Sequence, residues 1–293
     1  MAAARREERS FIDPHGIRIV YDLYEPDGGA PPVRGAVQIL HGVGEHAGRY
    51  THVAEALTAA GFLVYADDHR GHGRTGLEQH GGDASRLGRL GPGGLRAAVA
   101  ACAQLSGIIR ADHPELPLIL IGHSWGSFLA QMLLDRHPRD YDALVLTGSA
   151  LRWPGSLNSG DLNAPWAGPE AMGSEWLSSD LSVGRAFLDD PLTTSEPLAR
   201  LFGPLDTLRL IGKPAKNLPR DVSVLLMVGR DDTVGGPRSI HCLAEAYRRR
   251  SGLTDVTTLV YPDIRHEVFN DVTRDQVIAD VIAWIDRHLP PSG

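Results

Sequence analysis

The chain of 293 residues is 42% hydrophobic, which suits one large α/β domain with an insertion or two small domains. Its formal net charge is −7, and it has no concentrated Lys/Arg stripe apart from the short run Arg248–Arg250. Nucleic acid and an anionic membrane surface are therefore not expected as principal partners, and an exposed helix end explains the arginine run.

The cysteines and the N-terminus predict a cytoplasmic protein. Cys102 falls on the apolar face of a helical pattern, which indicates a buried, reduced thiol, and with Cys242 it implies no disulfide framework. The first ten residues are charged and lack the apolar segment of a secretory signal, and no run of about 18 apolar residues is present. Peripheral membrane contact is left open.

In chain order, the first predicted elements are those of an α/β sheet. Residues 17–24 partly alternate and predict an edge strand, ended by a turn at 26–29 and a Pro31-Pro32 loop. Short apolar strands are then predicted at 36–40, 62–66, 118–121, 143–146, 222–228 and 256–261. Helical patterns cover 51–60, 95–110, 124–137, 240–249 and 274–288. This alternation is typical of a doubly wound, mostly parallel sheet.

One segment interrupts the alternation. Between Thr147 and Arg220 the chain is rich in Pro, Gly, Ser and Leu and lacks a parallel-strand run. A structureless loop of that length is uncommon in a compact domain, so we expect a small helical cap at 149–220 on a core formed by 1–148 and 221–293. Three tryptophans in the cap are expected to form its own small core: Trp153, Trp166 and Trp176.

The stretch Gly122-His123-Ser124-Trp125-Gly126 fits G-x-S-x-G at the switch from strand to helix. In this motif glycines on both sides let the strand and helix backbones approach, while the serine is held on a sharp, strained turn. Ser124 is thus the candidate nucleophile. A serine hydroxyl is a poor nucleophile at neutral pH and needs a base, which in turn needs a third group to orient it.

An acid and a histidine follow the last two predicted strands. The first of these strands precedes Gly229-Arg230-Asp231-Asp232, and the second precedes His266. The chain order Ser, Asp, His is the one that a strand-turn-helix nucleophile uses. Spacing alone leaves the acid open between Asp231 and Asp232.

Acyl transfer also needs backbone N–H groups that bind the oxyanion of the tetrahedral intermediate. Trp125, directly after the serine, is the first candidate donor. The loop 41–46, HGVGEH, offers the second, and Val43 is the best candidate because glycines flank it. The alternative is that this loop merely starts a helix.

Several interrupted motifs together resemble the α/β-hydrolase superfamily, and within it the monoacylglycerol lipase and lysophospholipase group, also called serine aminopeptidase-like hydrolases. The matching stretches are HGVGEHAGRY (41–50), DHRGHGRTG (68–76), GHSWG (122–126), GRDD (229–232) and YPDIRHEVFND (261–271). The resemblance implies Asp232 rather than Asp231 as the acid, oxyanion amides at Val43 and Trp125, and a cap over an apolar acyl-chain pocket. The cap and Trp125 depart from the family pattern.

The histidines of DHRGHGRTG also suggest a metal site. Their spacing matches no H-E-x-x-H helix or similar ligand set, and the motif directly follows a predicted strand. A structural turn held by Asp68 and Arg70 is favoured, with no metal.

The sequence thus predicts a cofactor-free serine hydrolase acting on a small-molecule acyl ester. The resemblance implies monoacylglycerols, lysophospholipids or similar esters. Alternatives on the same fold are a thioesterase, a peptidase or a cofactor-free haloperoxidase, and a non-catalytic ligand-binding protein. A dehalogenase or epoxide hydrolase is disfavoured because those enzymes have Asp where Ser124 stands. The oligomeric state is not predicted, and transient contact of the cap with a lipid surface is left open.

Overall fold

A computed structural model describes residues 4–26 and 32–289. Its sheet has eight strands in the order β1-β2-β4-β3-β5-β6-β7-β8. The strands are β1 (Arg5–Ile12), β2 (Arg18–Glu25), β3 (Gly35–Leu40), β4 (Phe62–Asp67), β5 (Leu118–His123), β6 (Ala143–Thr147), β7 (Ser223–Gly229) and β8 (Val256–Tyr261). β2 pairs antiparallel with β1 and β4, and the other pairs are parallel.

Helices cover both faces of the sheet. They are α1 (Thr51–Ala59), α2 (Gly73–Gln79), α3 (Gly94–Asp112), α4 (Trp125–Arg136), α5 (Leu181–Asp189), α6 (Leu198–Arg209), α7 (Gly236–Ala246) and α8 (Arg274–His288). α1 and α8 pack on one face, and α3, α4 and α7 pack on the other. The predicted mostly parallel α/β fold is confirmed, with all seven predicted strands and all five predicted helices present. No helix in the described ranges is both long and apolar enough to cross a bilayer.

The N-terminal prediction was wrong. β2 is not an edge strand, because β1 pairs with it along eight residues and forms the edge. The sequence of β1 is polar because most of its side chains are exposed. Cross-strand ion pairs such as Arg6–Asp22, at 3.0 Å, take the place of apolar contacts. The predicted turn that follows β2 falls mainly on residues 27–31, outside the described part of the chain.

The segment between β6 and β7 has no strand among its residues. It contains a 3-10 turn at Ala164–Trp166, then α5 and α6, and α6 is broken where Gly203 adopts φ 73° ahead of Pro204. The expectation that its tryptophans form a small core was wrong. Trp153 is 43% exposed, and Trp166 lies under the Arg265 guanidinium at 4.2 Å. The cap boundaries 149–220 stay a prediction.

The turn after β4 is held by buried polar contacts, as the sequence predicted for Asp68 and Arg70. Asp68 accepts hydrogen bonds from the backbone N–H groups of Ala47 and Arg74, both at 2.9 Å. Arg70 is buried, donates to the carbonyl of Leu90 at 3.2 Å, and forms an ion pair with Asp13 at the end of β1. The sequence missed α2, which begins immediately after this turn.

We expect Asp13→Asn to lower the free energy of unfolding by about 3 kcal/mol, because it leaves the Arg70 cation buried without its carboxylate. Urea denaturation followed by circular dichroism measures the change. The control is Glu7→Gln, which removes an exposed carboxylate paired with Arg9 at 2.9 Å and leaves the midpoint unchanged. Equal midpoints for the two variants would contradict the assigned role of the Arg70–Asp13 pair.

Candidate active site

Ser124 lies on a strained turn between β5 and α4. Its φ of 51° and ψ of −122° fall in a region that non-glycine residues rarely adopt. The flanking glycines are required by close backbone approach: a Cβ on Gly122 would lie 2.7 Å from the carbonyl oxygen of Gly126, and one on Gly126 would lie 2.2 Å from that of Leu40. The Ser124 N–H donates to the carbonyl of Thr147 at 2.9 Å. The serine is therefore held above the carboxyl end of β5.

Asp232 and His266 meet in the loops after β7 and β8. Asp232 Oδ2 and His266 Nδ1 are 2.9 Å apart, and both side chains are buried. The second carboxylate oxygen of Asp232 accepts the Val234 N–H at 2.7 Å. Asp231 is exposed, and its carboxylate has no imidazole partner among the described residues. The geometry thus pairs Asp232, rather than Asp231, with the imidazole.

The pair fixes the tautomer of His266 and shifts its pKa. Because Nδ1–H donates to Asp232, Nε2 is left as an acceptor, and it is buried without a hydrogen-bond partner among the described residues. Burial by itself lowers the pKa of His266, but attraction to Asp232, their hydrogen bond, and the charges of Glu267 and Glu45 outweigh it. The net pKa is raised above the ordinary value of 6.5.

A second imidazole lies beside the first. The rings of His123 and His266 are 4.8 Å apart, and His123 Nδ1 is 3.0 Å from the Thr147 hydroxyl. Burial, together with repulsion from His266, lowers the pKa of His123 to about 3, so it stays neutral. Gly148 makes room for both rings, since a Cβ there would lie within 3.0 Å of each. Sequence reasoning missed His123 and Gly148, although His123 stands inside the G-x-S-x-G motif.

The loop 41–46 lies against Ser124. A Cβ on Gly42 would be 3.1 Å from the Ser124 Cβ. The N–H groups of Val43 and Trp125 donate no hydrogen bond to any described residue. The alternative interpretation was that this loop starts a helix. It holds only at the end of the loop, where His46 caps a 3-10 turn at Ala47–Tyr50.

A buried charge network joins this loop to the histidine loop. The Arg49 guanidinium contacts Glu45 and Glu267, each at 2.6 Å, and Tyr50 donates to Glu45 at 2.7 Å. Burial opposes the charge of Arg49, but the two glutamates outweigh it and raise its pKa. Sequence analysis missed the network because Arg49 and Glu267 are 218 positions apart. It fixes the position of the residue next to His266.

The segment between β6 and β7 covers the site. The backbone N–H of Thr194 donates to the carbonyl of Gly44 at 2.8 Å, and the backbone N–H of Glu267 donates to the carbonyl of Leu177 at 2.7 Å. The Trp176 ring lies 5.0 Å from His266, so this tryptophan contacts the site rather than a separate core. A surface groove of about 630 Å³ lies farther out on the segment, lined by residues 166–171, Glu175, Leu181 and Arg265. None of Ser124, Asp232 and His266 lines this groove.

One cluster carries metal-ligand chemistry. Asp67, His69 and Cys102 are buried together, with His69 Nδ1 at 2.7 Å from Asp67 Oδ2 and 3.7 Å from Cys102 Sγ. Burial lowers the pKa of His69, but attraction to Asp67 outweighs it and raises the pKa well above its ordinary value. The pair leaves two buried polar atoms, His69 Nε2 and Asp67 Oδ1, without a hydrogen-bond partner among the described residues. The prediction that Cys102 is a buried free thiol is confirmed.

The chain is similar to known proteins over most of its length. The family model described as "Serine aminopeptidase, S33" matches residues 31–273. A monoacylglycerol lipase of Mycolicibacterium smegmatis is 34% identical over 99% of this chain and 100% of its own. Mouse monoglyceride lipase is 25% identical, over 87% of this chain and 83% of its own.

Solved structures share the fold. A thermostable carboxyl esterase from Bacillus coagulans, 26% identical, superposes with a TM-score of 0.83 over 97% of this chain and 99% of its own. A soluble variant of monoglyceride lipase from Saccharomyces cerevisiae, 20% identical, gives a TM-score of 0.75 over 99% of this chain and 97% of its own. The resemblance predicted from the motifs is confirmed: the chain belongs to the serine aminopeptidase S33 family, has the α/β-hydrolase fold and is a serine hydrolase.

Proposed function

We propose that the protein hydrolyses the ester bond of monoacylglycerols, with Ser124 as nucleophile, His266 as general base and acid, and Asp232 as the group that orients His266. The observation that carries the proposal is the buried Asp232–His266 pair, which leaves Nε2 of His266 without a hydrogen-bond partner among the described residues, at the same edge of the sheet as a serine on a strained turn. The relatives named monoacylglycerol and monoglyceride lipase support the substrate class.

The first half of the reaction forms an acyl-enzyme. Ser124 Oγ attacks the ester carbonyl carbon while its proton passes to His266 Nε2. The imidazolium that results is stabilised by the Asp232 carboxylate. When the tetrahedral intermediate collapses, the bond to the glycerol oxygen breaks, and this oxygen takes the proton from His266. Glycerol leaves, and the acyl group stays on Ser124.

The second half reverses the roles with water as nucleophile. Water gives a proton to His266 Nε2 and attacks the acyl carbon, and Ser124 Oγ recovers that proton as the fatty acid leaves. Both tetrahedral intermediates carry an oxyanion. We assign its two hydrogen bonds to the N–H groups of Val43 and Trp125, which have no other acceptor among the described residues. No cofactor takes part in either step.

We assign residues 149–220 as a cap over an apolar acyl-chain pocket. Val43, Leu151, Leu157, Leu198 and Phe202 support this, because they are partly buried and pack against one core cluster with Trp125. They come from the loop after β3, the segment after β6 and α6. Ring contact between Trp125 and Phe202, at 5.0 Å, joins the residue after the nucleophile to the cap.

Replacing Ser124 by Ala is expected to lower kcat by about a millionfold, the loss found when a triad nucleophile is removed. Release of fatty acid from a monoacylglycerol measures the change. A fluorophosphonate probe should add one adduct to the wild-type mass and none to the variant. Ser85→Ala, at an exposed site, is the control and should keep full activity. A residual rate within tenfold of the wild type would refute the mechanism.

The acid limb of the kcat/KM profile should lie above pH 6.5, because His266 acts as a base only when neutral and its pKa is raised. Activity therefore falls as the pH falls through that raised value. Asp232→Asn removes the main charge that raises it, so the limb should move to lower pH and kcat should drop about 10⁴-fold. Asp231→Asn, at the exposed neighbouring position, is the matched control and should change neither the pH of the acid limb nor kcat. The assignment of the acid fails if the two variants behave alike.

A substrate panel separates the proposal from the other activities of this fold. Monoacylglycerols, thioesters and aminoacyl anilides are compared by kcat/KM on one enzyme preparation. We expect the monoacylglycerol to be preferred over the aminoacyl anilide by roughly a hundredfold or more, because the anilide carries no fatty-acyl chain for the proposed pocket. Faster cleavage of the anilide would favour an aminopeptidase, as the family description suggests, and faster cleavage of the thioester would favour a thioesterase.

A further inference from the structure

His41 is a buried histidine to which the proposed mechanism gives no role. It directly follows β3 and begins the loop 41–46. Both ring nitrogens lie at hydrogen-bond distance from backbone groups. Nδ1 is 2.7 Å from the carbonyl oxygen of Gly42, and Nε2 is 3.0 Å from the backbone nitrogen of His69. The ring is therefore held in one orientation between two parts of the chain.

These two contacts fix the protonation state of His41. A backbone N–H only donates, so Nε2 accepts from His69 and carries no proton. A carbonyl oxygen only accepts, so Nδ1 carries the proton and donates to Gly42. The ring is consequently neutral. Burial, followed by repulsion from His69 and His72, lowers the pKa of His41 well below its ordinary value, in agreement with that state.

The turn after β4 supplies the group that sets this tautomer. The His69 side chain is fixed by its contact with Asp67 at 2.7 Å, and its ring stacks on that of His41 with the centroids 4.0 Å apart. Because its pKa is raised, His69 carries a positive charge. A cation against the His41 ring disfavours a second proton there. The Asp67–His69 pair therefore helps to keep His41 neutral.

The carbonyl that accepts from His41 belongs to the same peptide unit as the proposed oxyanion donor. The Gly42 carbonyl and the Val43 N–H are parts of one planar, trans peptide, so they point in opposite directions. Holding the carbonyl oxygen thus sets the direction of the N–H. The hydrogen bond to the carbonyl also polarises the peptide and strengthens its N–H as a donor. The preceding peptide is fixed as well, because the Gly42 N–H donates to Glu45 Oε1 at 2.5 Å.

We infer that His41 is a positioning residue for the oxyanion site, because it orients the peptide unit between Gly42 and Val43 and thereby aims the Val43 N–H at the oxyanion. The inference rests on the proposed function, in which Val43 is one of the two donors. His41 acts through this peptide rather than on the substrate. Since the oxyanion forms only after attack on the carbonyl, loss of the positioning should lower kcat and leave KM nearly unchanged.

Two polar substitutions at position 41 test the inference on a water-soluble short-chain ester. The amide nitrogen of Asn stands as far along the side chain as Nδ1 of histidine, and that of Gln stands as far as Nε2. His41→Asn should therefore still donate to the Gly42 carbonyl and keep kcat within about fivefold of the wild type. His41→Gln should lower kcat about fiftyfold, with KM within about twofold, as part of the roughly 10²- to 10³-fold loss that removal of an oxyanion donor causes.

His72→Gln is the matched control. His72 is buried in the same group of rings, 5.4 Å from His41, and its Nδ1 lies 2.9 Å from the carbonyl oxygen of Arg70. The substitution removes the same kind of hydrogen bond from a carbonyl that belongs to no oxyanion donor, so kcat should stay within about threefold. Equal kcat values for His41→Asn and His41→Gln, or equal losses in His41→Gln and His72→Gln, would overturn the inference. A fiftyfold loss in His41→Asn would overturn it even where His41→Gln does not fold.

Inhibition by an alkyl trifluoromethyl ketone gives a readout that a merely structural role would not move. Ser124 Oγ bonds to the ketone carbon, the serine proton passes to His266, and the carbonyl electrons leave an anionic oxygen in the oxyanion site. His41→Gln should raise the inhibition constant of the ketone about fiftyfold, and that of a glycerol monoalkyl ether, which has no carbonyl, less than about twofold. Equal weakening of the two inhibitors would contradict the inference. Failure of the proposed mechanism is distinguishable, because the ketone would then not inhibit the wild-type enzyme.

Discussion

The close approach of two backbones at Ser124 is the constraint on which the site depends. β5 and α4 meet so tightly that no Cβ fits at Gly122 or Gly126. The serine between them is forced into a positive φ, and packing of the surrounding sheet and helix must offset that strain. Because the same contact sets where α4 begins, it also leaves the Trp125 N–H, at the start of the helix, without an acceptor among the residues that the structure describes.

The other half of the site is electrostatic. Parallel strands β7 and β8 end at the same edge as β5, so the loops that carry Asp232 and His266 lie at the same edge of the sheet as the serine. Burial at this edge of the sheet disfavours the charged form of a side chain. The Asp232 carboxylate nevertheless keeps the pKa of His266 raised. His123 has no carboxylate as hydrogen-bond partner among the described residues and stays neutral. One imidazole can therefore accept a proton and its neighbour cannot. Arg49, between Glu45 and Glu267, holds the two loops together.

Local signals predicted most of this architecture. Apolar runs of four to seven residues located the buried strands, and motifs at strand ends indicated the serine and the histidine, whereas the choice of Asp232 over Asp231 came from the family resemblance. The features that were missed depend on distant partners. β1 looks like a charged tail until Arg6 meets Asp22 across the strands. Trp153 and Trp166 looked like core residues, but each packs against a cation.

The central claim, that Ser124 carries the acyl group between two half-reactions, is tested most directly by trapping that intermediate. The enzyme is mixed with a monoacylglycerol, quenched in acid within the first turnover and examined by intact mass and peptide mapping. The account predicts a mass gain equal to the acyl group less one hydrogen, located on the peptide that contains Ser124. Product release with no acyl adduct at any time point, or an adduct on another residue, would contradict it.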